Sequence, residues 1–209
     1  MIRTVVSGLD RLADYYRRYP EIAERAGTTA TNDAAAHALA LARRVVRQDA
    51  NLTASYINDP DKLRVARKAG RVSGEAVVLA SARPTSLARY ATGGQRFGRQ
   101  RGVTVRVKRG GASKHMRKAF LIPLKQGSRN VDVGAGIYNS GLALRLPEGQ
   151  TIKNKRVAKK LKGGGNTWLL YGPSVHQIFR QSLPEVAAET SDYFERRFFY
   201  QLGRGLKRG

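Results

Sequence analysis

Apolar and polar positions along the chain change period near its middle, and that change divides the predicted elements. Leu9, Leu12, Ala13 and Tyr16 recur at helical spacing, as do Ile22, Ala23 and Ala26. Pro20 is expected to break this segment into a short helix pair over residues 8–25, and Gly27 to stop it. A second helix is expected to start at Thr31 or Asn32, either of which can cap it. Its stripe is Ala38, Leu41, Val45 and Val46, flanked by Arg43, Arg44 and Arg47. Asn58-Asp59-Pro60 reads as a turn opening a short basic helix to about Lys68, with Arg64, Arg67 and Lys68 on its polar side.

From Gly70 onward the period shortens. Ala76–Ala80 is an apolar run between Gly74 and Pro84 and predicts a strand, and Leu87–Tyr90 one turn. Val103, Val105 and Val107 alternate with Thr104, Arg106 and Lys108, a half-buried strand. Gly110-Gly111 is expected to turn it, with residues 118–124 returning as the antiparallel partner. Phe120 and Ile122 should then share one sheet face with Val105 and the last helix. Residues 131–137 suggest an edge strand, and 139–167 an irregular region with an exposed lysine-rich loop over 153–165. The end of the chain is helical again. A short helix starts at Val175, and Ser182-Leu-Pro-Glu185 predicts a capping box for a last helix with the stripe Val186, Tyr193, Phe194, Phe198 and Leu202. Helices, then strands, then helices imply an α+β fold, with helices on a small antiparallel sheet. The expected division is an N-terminal helical arm, 1–27, and one domain, 28–209.

Charge sharpens this picture. The 209 residues carry 39 Lys and Arg against 15 Asp and Glu, a formal +24. Residues 76–131 contain 13 basic residues and no acid, so one-signed loops must meet polyanions or acidic protein surfaces. With no cysteine there is neither a disulfide nor a thiol nucleophile. No stretch reaches the ~18 apolar residues of a membrane span, and Met1–Val6 lacks the apolar run of a signal peptide.

Catalytic patterns are poorly supplied. Residues 93–100 approach a phosphate-binding loop but place Arg99 and Gln100 where Lys and Ser or Thr are required. Gly172-Pro173-Ser174-Val175-His176 half-matches a nucleophile elbow, and Ser174 reads better as a helix cap. His37, His115 and His176 are scattered singly, without a second ligand at metal-binding spacing. No enzyme activity, cofactor or metal is expected.

Several segments together resemble a known family. They are the Ala-rich helix, Lys114-His115 followed after Met116-Arg117-Lys118 by Ala119-Phe120-Leu121-Ile122, the Gly127-Ser128-Arg129 turn, and Leu170-Tyr171-Gly172-Pro173-Ser174-Val175. The chain is similar over about residues 28–197 to the minor tail protein Z family of long-tailed bacteriophages, and the Leu170–Val175 run is the most specific part. The three-residue insertion after His115 and a long 153–165 loop depart from that pattern.

The resemblance implies a tail completion protein of the virion, assembled in the host cytoplasm as a sixfold ring at the head-proximal end of the tail. Its partners would be other copies of itself, the tail terminator and the head-side connector, and the double-stranded genome end, with no membrane. Six copies at +24 would bring +144, whereas about 40 Å of duplex offers only about 24 phosphate charges. A split follows: Arg99, Arg101, Lys155, Lys159 and Lys160 toward DNA, and Arg43, Arg44, Arg47 and Arg64 toward acidic protein partners. Gly172, Pro173 and Ser174 would form a structural turn. The alternative is a free basic module binding DNA or RNA, with Tyr90, Phe97 and Tyr138 near its cations.

Overall fold

Thirty residues form the first helix, α1 (Pro20–Asp49), with proline at its start, where a missing N–H costs nothing. The computed structural model describes Tyr15 and residues 17–70, 74–92, 102–124 and 140–207. In chain order α1 is followed by α2 (Ala54–Asn58), β1 (Leu63–Arg67), β2 (Val77–Ala80), β3 (Thr85–Ser86), a 3-10 turn (Leu87–Tyr90), β4 (Val103–Val105) and β5 (Lys114–Met116). Then come β6 (Ala119–Pro123), β7 (Ser140–Arg145), β8 (Ala158–Lys160), β9 (Thr167–Gly172), α3 (Val175–Gln181) and α4 (Leu183–Leu206). The class is α+β, with long helices toward both ends of the chain. Two compact units contain these elements: residues 1–45, 57–81 and 179–209 form one, and residues 46–56 and 82–178 the other.

In the first unit α1 runs straight through Gly27, Thr31 and Asn32, so neither the expected stop nor the expected caps exist. Packing overrides propensity here. Ala23, Ala26 and Ala30 recur on one face and are buried against Phe198 and Leu202 of α4. Small side chains let the two helices approach closely, and the burial outweighs the weak helix preference of a Gly-Thr-Thr stretch. The arm boundary expected at residue 27 therefore falls inside a packed helix, while residues 1–14 lie outside the described residues. Asn32 fastens the chain beyond β1 instead of capping: its amide donates to the Ala69 carbonyl (3.0 Å) and its oxygen accepts the Ala69 N–H (2.8 Å).

Residues 63–67 are a strand and not the expected helix. Asp59 accepts the Asp61 N–H at 2.9 Å, which closes a tight turn. Leu63 in, Arg64 out and Val65 half in then follow period two against β2, with Leu63 opposite Ala80. Arg64 and Arg67 consequently do not share a helical face. Ser182 occupies the N-cap position of α4, but its side chain makes no capping bond.

In the second unit the antiparallel sheet is ordered β3-β9-β7-β6, with β8 beside β9, and β4-β5 form a separate two-stranded ribbon. Residues 118–124 thus pair with β7 rather than returning along β4. The 3-10 turn at Leu87–Tyr90 and strand β2 fall where the sequence predicts them.

Register fixes the faces. Leu121, Leu142 and Leu170 stand in one row, and with Ala88, Val103, Val105, Ala119 and Ala158 they form the core. Phe120 and Ile122 point to the opposite face and are only half-buried, so the expected pairing of Phe120 with Val105 is reversed by one residue. Within the region expected to be irregular, residues 140–167 contain β7, β8 and the start of β9. Gly141 and Ala143 hide β7 in the sequence because small residues occupy the face that neighbouring side chains cover. A Cβ on Gly141 would lie 2.9 Å from Leu169 Cδ2. The expected edge strand at 131–137 lies outside the described residues.

Candidate functional site

The Leu170–Val175 run forms one corner of the second unit. β9 ends at Gly172, and Pro173 and Ser174 lead into α3. Gly172 is required by close approach: a Cβ there would lie 2.7 Å from Cε2 of Tyr90. Tyr90 is completely buried, and its hydroxyl donates to the Pro173 carbonyl at 2.9 Å. Burial pushes the phenol well above its ordinary value, because the phenolate would be stranded without water. Ser174 is 1% exposed. Its Oγ accepts the Gln177 N–H (3.1 Å), and Gln177 Oε1 accepts the Ser174 N–H (2.9 Å), a reciprocal capping box. The hydroxyl is thus buried and engaged as the cap of α3. Tyr90, one of the aromatics that the alternative reading placed near the cations, is buried and presents no face on which a base could stack. Phe97 and Tyr138 lie outside the described residues.

The basic residues assigned to DNA separate. Arg99 and Arg101 lie outside the described residues, as does the phosphate-loop-like stretch 93–100. Lys155 is exposed in the turn before β8. Lys159 and Lys160 belong to β8 and project to opposite faces, opposite Leu169 and Trp168 respectively. Both are exposed on an edge strand whose Ala158 is in the core, so the lysine run is not one loop patch.

The set assigned to protein partners also divides. Arg43 is half-buried and reaches the Leu63 carbonyl at 3.5 Å. Arg44 pairs with Glu189 at 3.3 Å, and Glu189 also lies 3.6 Å from Nε2 of His37, whose ring stacks on Tyr193. Arg47 and Arg64 are exposed and make no ion pair among the described residues.

One basic element escaped the sequence reading as a site. The β4-β5 ribbon carries Arg106, Lys108, Arg109 and Lys114, followed by Arg117 and Lys118, with no acid. Its signal was present as the acid-free stretch, but the pairing that isolates it was not. The second unit as a whole contains 21 Lys and Arg against 3 Asp and Glu, a formal +18, whereas the first holds +6. Among the described residues no group of three metal-ligating side chains converges, and no helix is long and apolar enough to cross a membrane. His115 bonds through Nδ1 to the Thr104 hydroxyl at 3.0 Å. No protein-family model, curated protein or solved structure matches the chain.

Proposed function

We propose that this chain is a structural protein of a long-tailed phage virion, a tail completion protein forming a ring at the head-proximal end of the tail. There it would act in head–tail joining and in positioning the DNA end. The observation that carries the reading is the Gly172-Pro173-Ser174 corner. The most specific stretch of the family likeness is used for architecture: a glycine against a buried tyrosine ring, a proline carbonyl held by that tyrosine, and a serine spent as a cap. A serine that is buried and engaged as a helix cap supports an architectural use of this stretch.

The uneven charge supports the same reading. A +18 unit is suited to an acidic neighbour or the genome, and the +6 unit is suited to protein contacts. Electron micrographs of the purified chain test it. Class averages of rings, or of full-length tails that join heads only when this protein is added, are the expected result. A chain that stays monomeric at high concentration and leaves tail joining unaffected would overturn the proposal and favour the free nucleic-acid-binding module.

A further inference from the structure

We infer that the β4-β5 ribbon is a grip for the phosphate backbone of duplex nucleic acid. This goes beyond the tail reading, since a free nucleic-acid-binding module would use the same ribbon.

Three observations carry it. First, the ribbon is held rigidly at its base. β4 pairs with β5 on one side, Val103 opposite Met116 and Val105 opposite Lys114. On its other side Thr92 N–H donates to the Thr104 carbonyl and Arg106 N–H to the Tyr90 carbonyl, both at 2.9 Å. Beyond β4, Asn51 N–H donates to Val107 O (2.9 Å) and Arg109 N–H to Asp49 O (3.0 Å), while Gly111 N–H closes the turn on Lys108 O (3.1 Å). The cations therefore start from a fixed frame, which lowers the ordering cost of binding.

Second, the cations are exposed. Lys108, Arg109, Lys114, Arg117 and Lys118 are exposed and have no ion pair among the described residues.

Third, what surrounds the cations selects the partner. Specific protein interfaces need an apolar or aromatic centre and are depleted in lysine. Between Arg106 and Ser113 the residues other than the cations are Val107, Gly110, Gly111, Ala112 and Ser113; Val103 and Val105 are turned into the core, Met116 packs against it, and Val107 is half-buried. Residues 102–118 contain no Phe, Tyr or Trp, so the ribbon offers no platform on which unpaired bases stack. A serine hydroxyl and long cations are groups that contact phosphates without reading sequence. A two-stranded ribbon also fits the width of a duplex major groove.

The test compares two triple variants of the full chain with equal charge loss: Lys108→Gln/Arg109→Gln/Lys114→Gln in the ribbon, and Lys155→Gln/Lys159→Gln/Lys160→Gln around β8. The probe is a short blunt-ended DNA duplex of arbitrary sequence, its affinity followed as a function of salt. The ribbon variant should lose about 2.7 from the slope of log K against log salt, at about 0.9 per phosphate contact removed. The β8 variant should lose under half of that. Thermal melting at the parental temperature establishes that the ribbon variant is folded. Should it melt lower, the charge-keeping Lys108→Arg/Lys114→Arg variant must retain the full slope. Equal losses in both triple variants would reduce the effect to net charge and overturn the assignment. Tighter binding of single-stranded oligothymidylate would overturn the duplex preference. Displacement of the duplex by polyglutamate, charge for charge, would assign the ribbon to an acidic protein instead.

Discussion

The Tyr90 hydroxyl donates to the Pro173 carbonyl across 83 positions of sequence at 2.9 Å, and the same ring fills the place of a Gly172 side chain. One aromatic residue thus fixes both the conformation and the composition of the corner between β9 and α3. Gly172→Val inserts a branched side chain into a fully buried ring, and overpacking of that kind costs about 1–3 kcal/mol. Tyr90→Phe keeps the ring and loses one hydrogen bond, worth about 0.5–1.5 kcal/mol. Urea unfolding should rank the two in that order. Equal losses would mean that the hydroxyl, rather than the close approach, governs the corner.

The same tyrosine makes stability depend on alkaline pH. In the unfolded chain a phenol ionises near pH ~10. In the folded chain burial raises it, so the folded state keeps its proton where the unfolded state has lost it. Stability from this group is fully present below pH ~10 and falls as pH rises above it. The melting temperature of the parent should drop between pH ~10 and ~11 more steeply than that of Tyr90→Phe. Parallel curves would assign the drop to other groups.

Register, not hydrophobicity, decides which residue of β6 matters. Leu121 is 2% exposed in the core row with Leu142, whereas Phe120 is half-buried on the opposite face. Leu121→Ala should cost about 2–5 kcal/mol, and Phe120→Ala less despite the larger side chain. Chemical denaturation of both variants checks the order.

The α+β class and the last helix were legible because their patterns are long: Val186, Phe198 and Leu202 lie on the buried stripe of α4. The errors cluster where one residue type served two purposes. Gly27 and Asn32 looked like a stop and a cap, yet the alanines around them form a helix contact and Asn32 binds distant backbone. Leu63 and Val65 alternate over too few positions to outweigh a proline that also opens helices. Gly141 and Ala143 conceal β7 because a covered face favours small residues. At the candidate corner, the Ser174 cap was legible from local signals. The partner that explains the glycine, Tyr90, was not, since nothing local links positions so far apart.

Packing along α1 gives a test that separates propensity from contact. Ala30 is fully buried in the seam with Phe198, and Ala36 is exposed. Leucine and alanine have similar helix preference. Ala36→Leu should leave the melting temperature within the range of a surface change, about ±0.5 kcal/mol. Ala30→Leu should destabilise by about 1–3 kcal/mol. For the same reason a truncation removing residues 1–27 takes Ala23 and Ala26 from the core and lowers the melting temperature of the isolated chain. An unchanged melt would return those residues to a peripheral arm.

The arginines expected to meet neighbouring rings now fall into two pairs. Arg43 is half-buried with a carbonyl partner, and Arg44 shares an exposed carboxylate with His37. Arg47 and Arg64 are exposed without an ion pair among the described residues. Removing an exposed pair such as Arg44–Glu189 changes stability by about 0–1 kcal/mol, and removing the Arg43 bond by about 0.5–1.5 kcal/mol. Arg43→Gln should therefore lower the melting temperature of the isolated chain and affect assembly only through that loss. Arg47→Gln/Arg64→Gln should melt as the parent does, because no internal contact is lost. If these two side chains meet an acidic face of an adjoining ring, that variant should still form rings yet join heads to tails poorly, and with less dependence on salt than the parent, since the exposed pairs that salt screens are gone. Complementation of a tail lysate lacking the protein measures joining, and light scattering measures the ring. Full joining by the Arg47/Arg64 variant would leave the helix and strand arginines without a partner role.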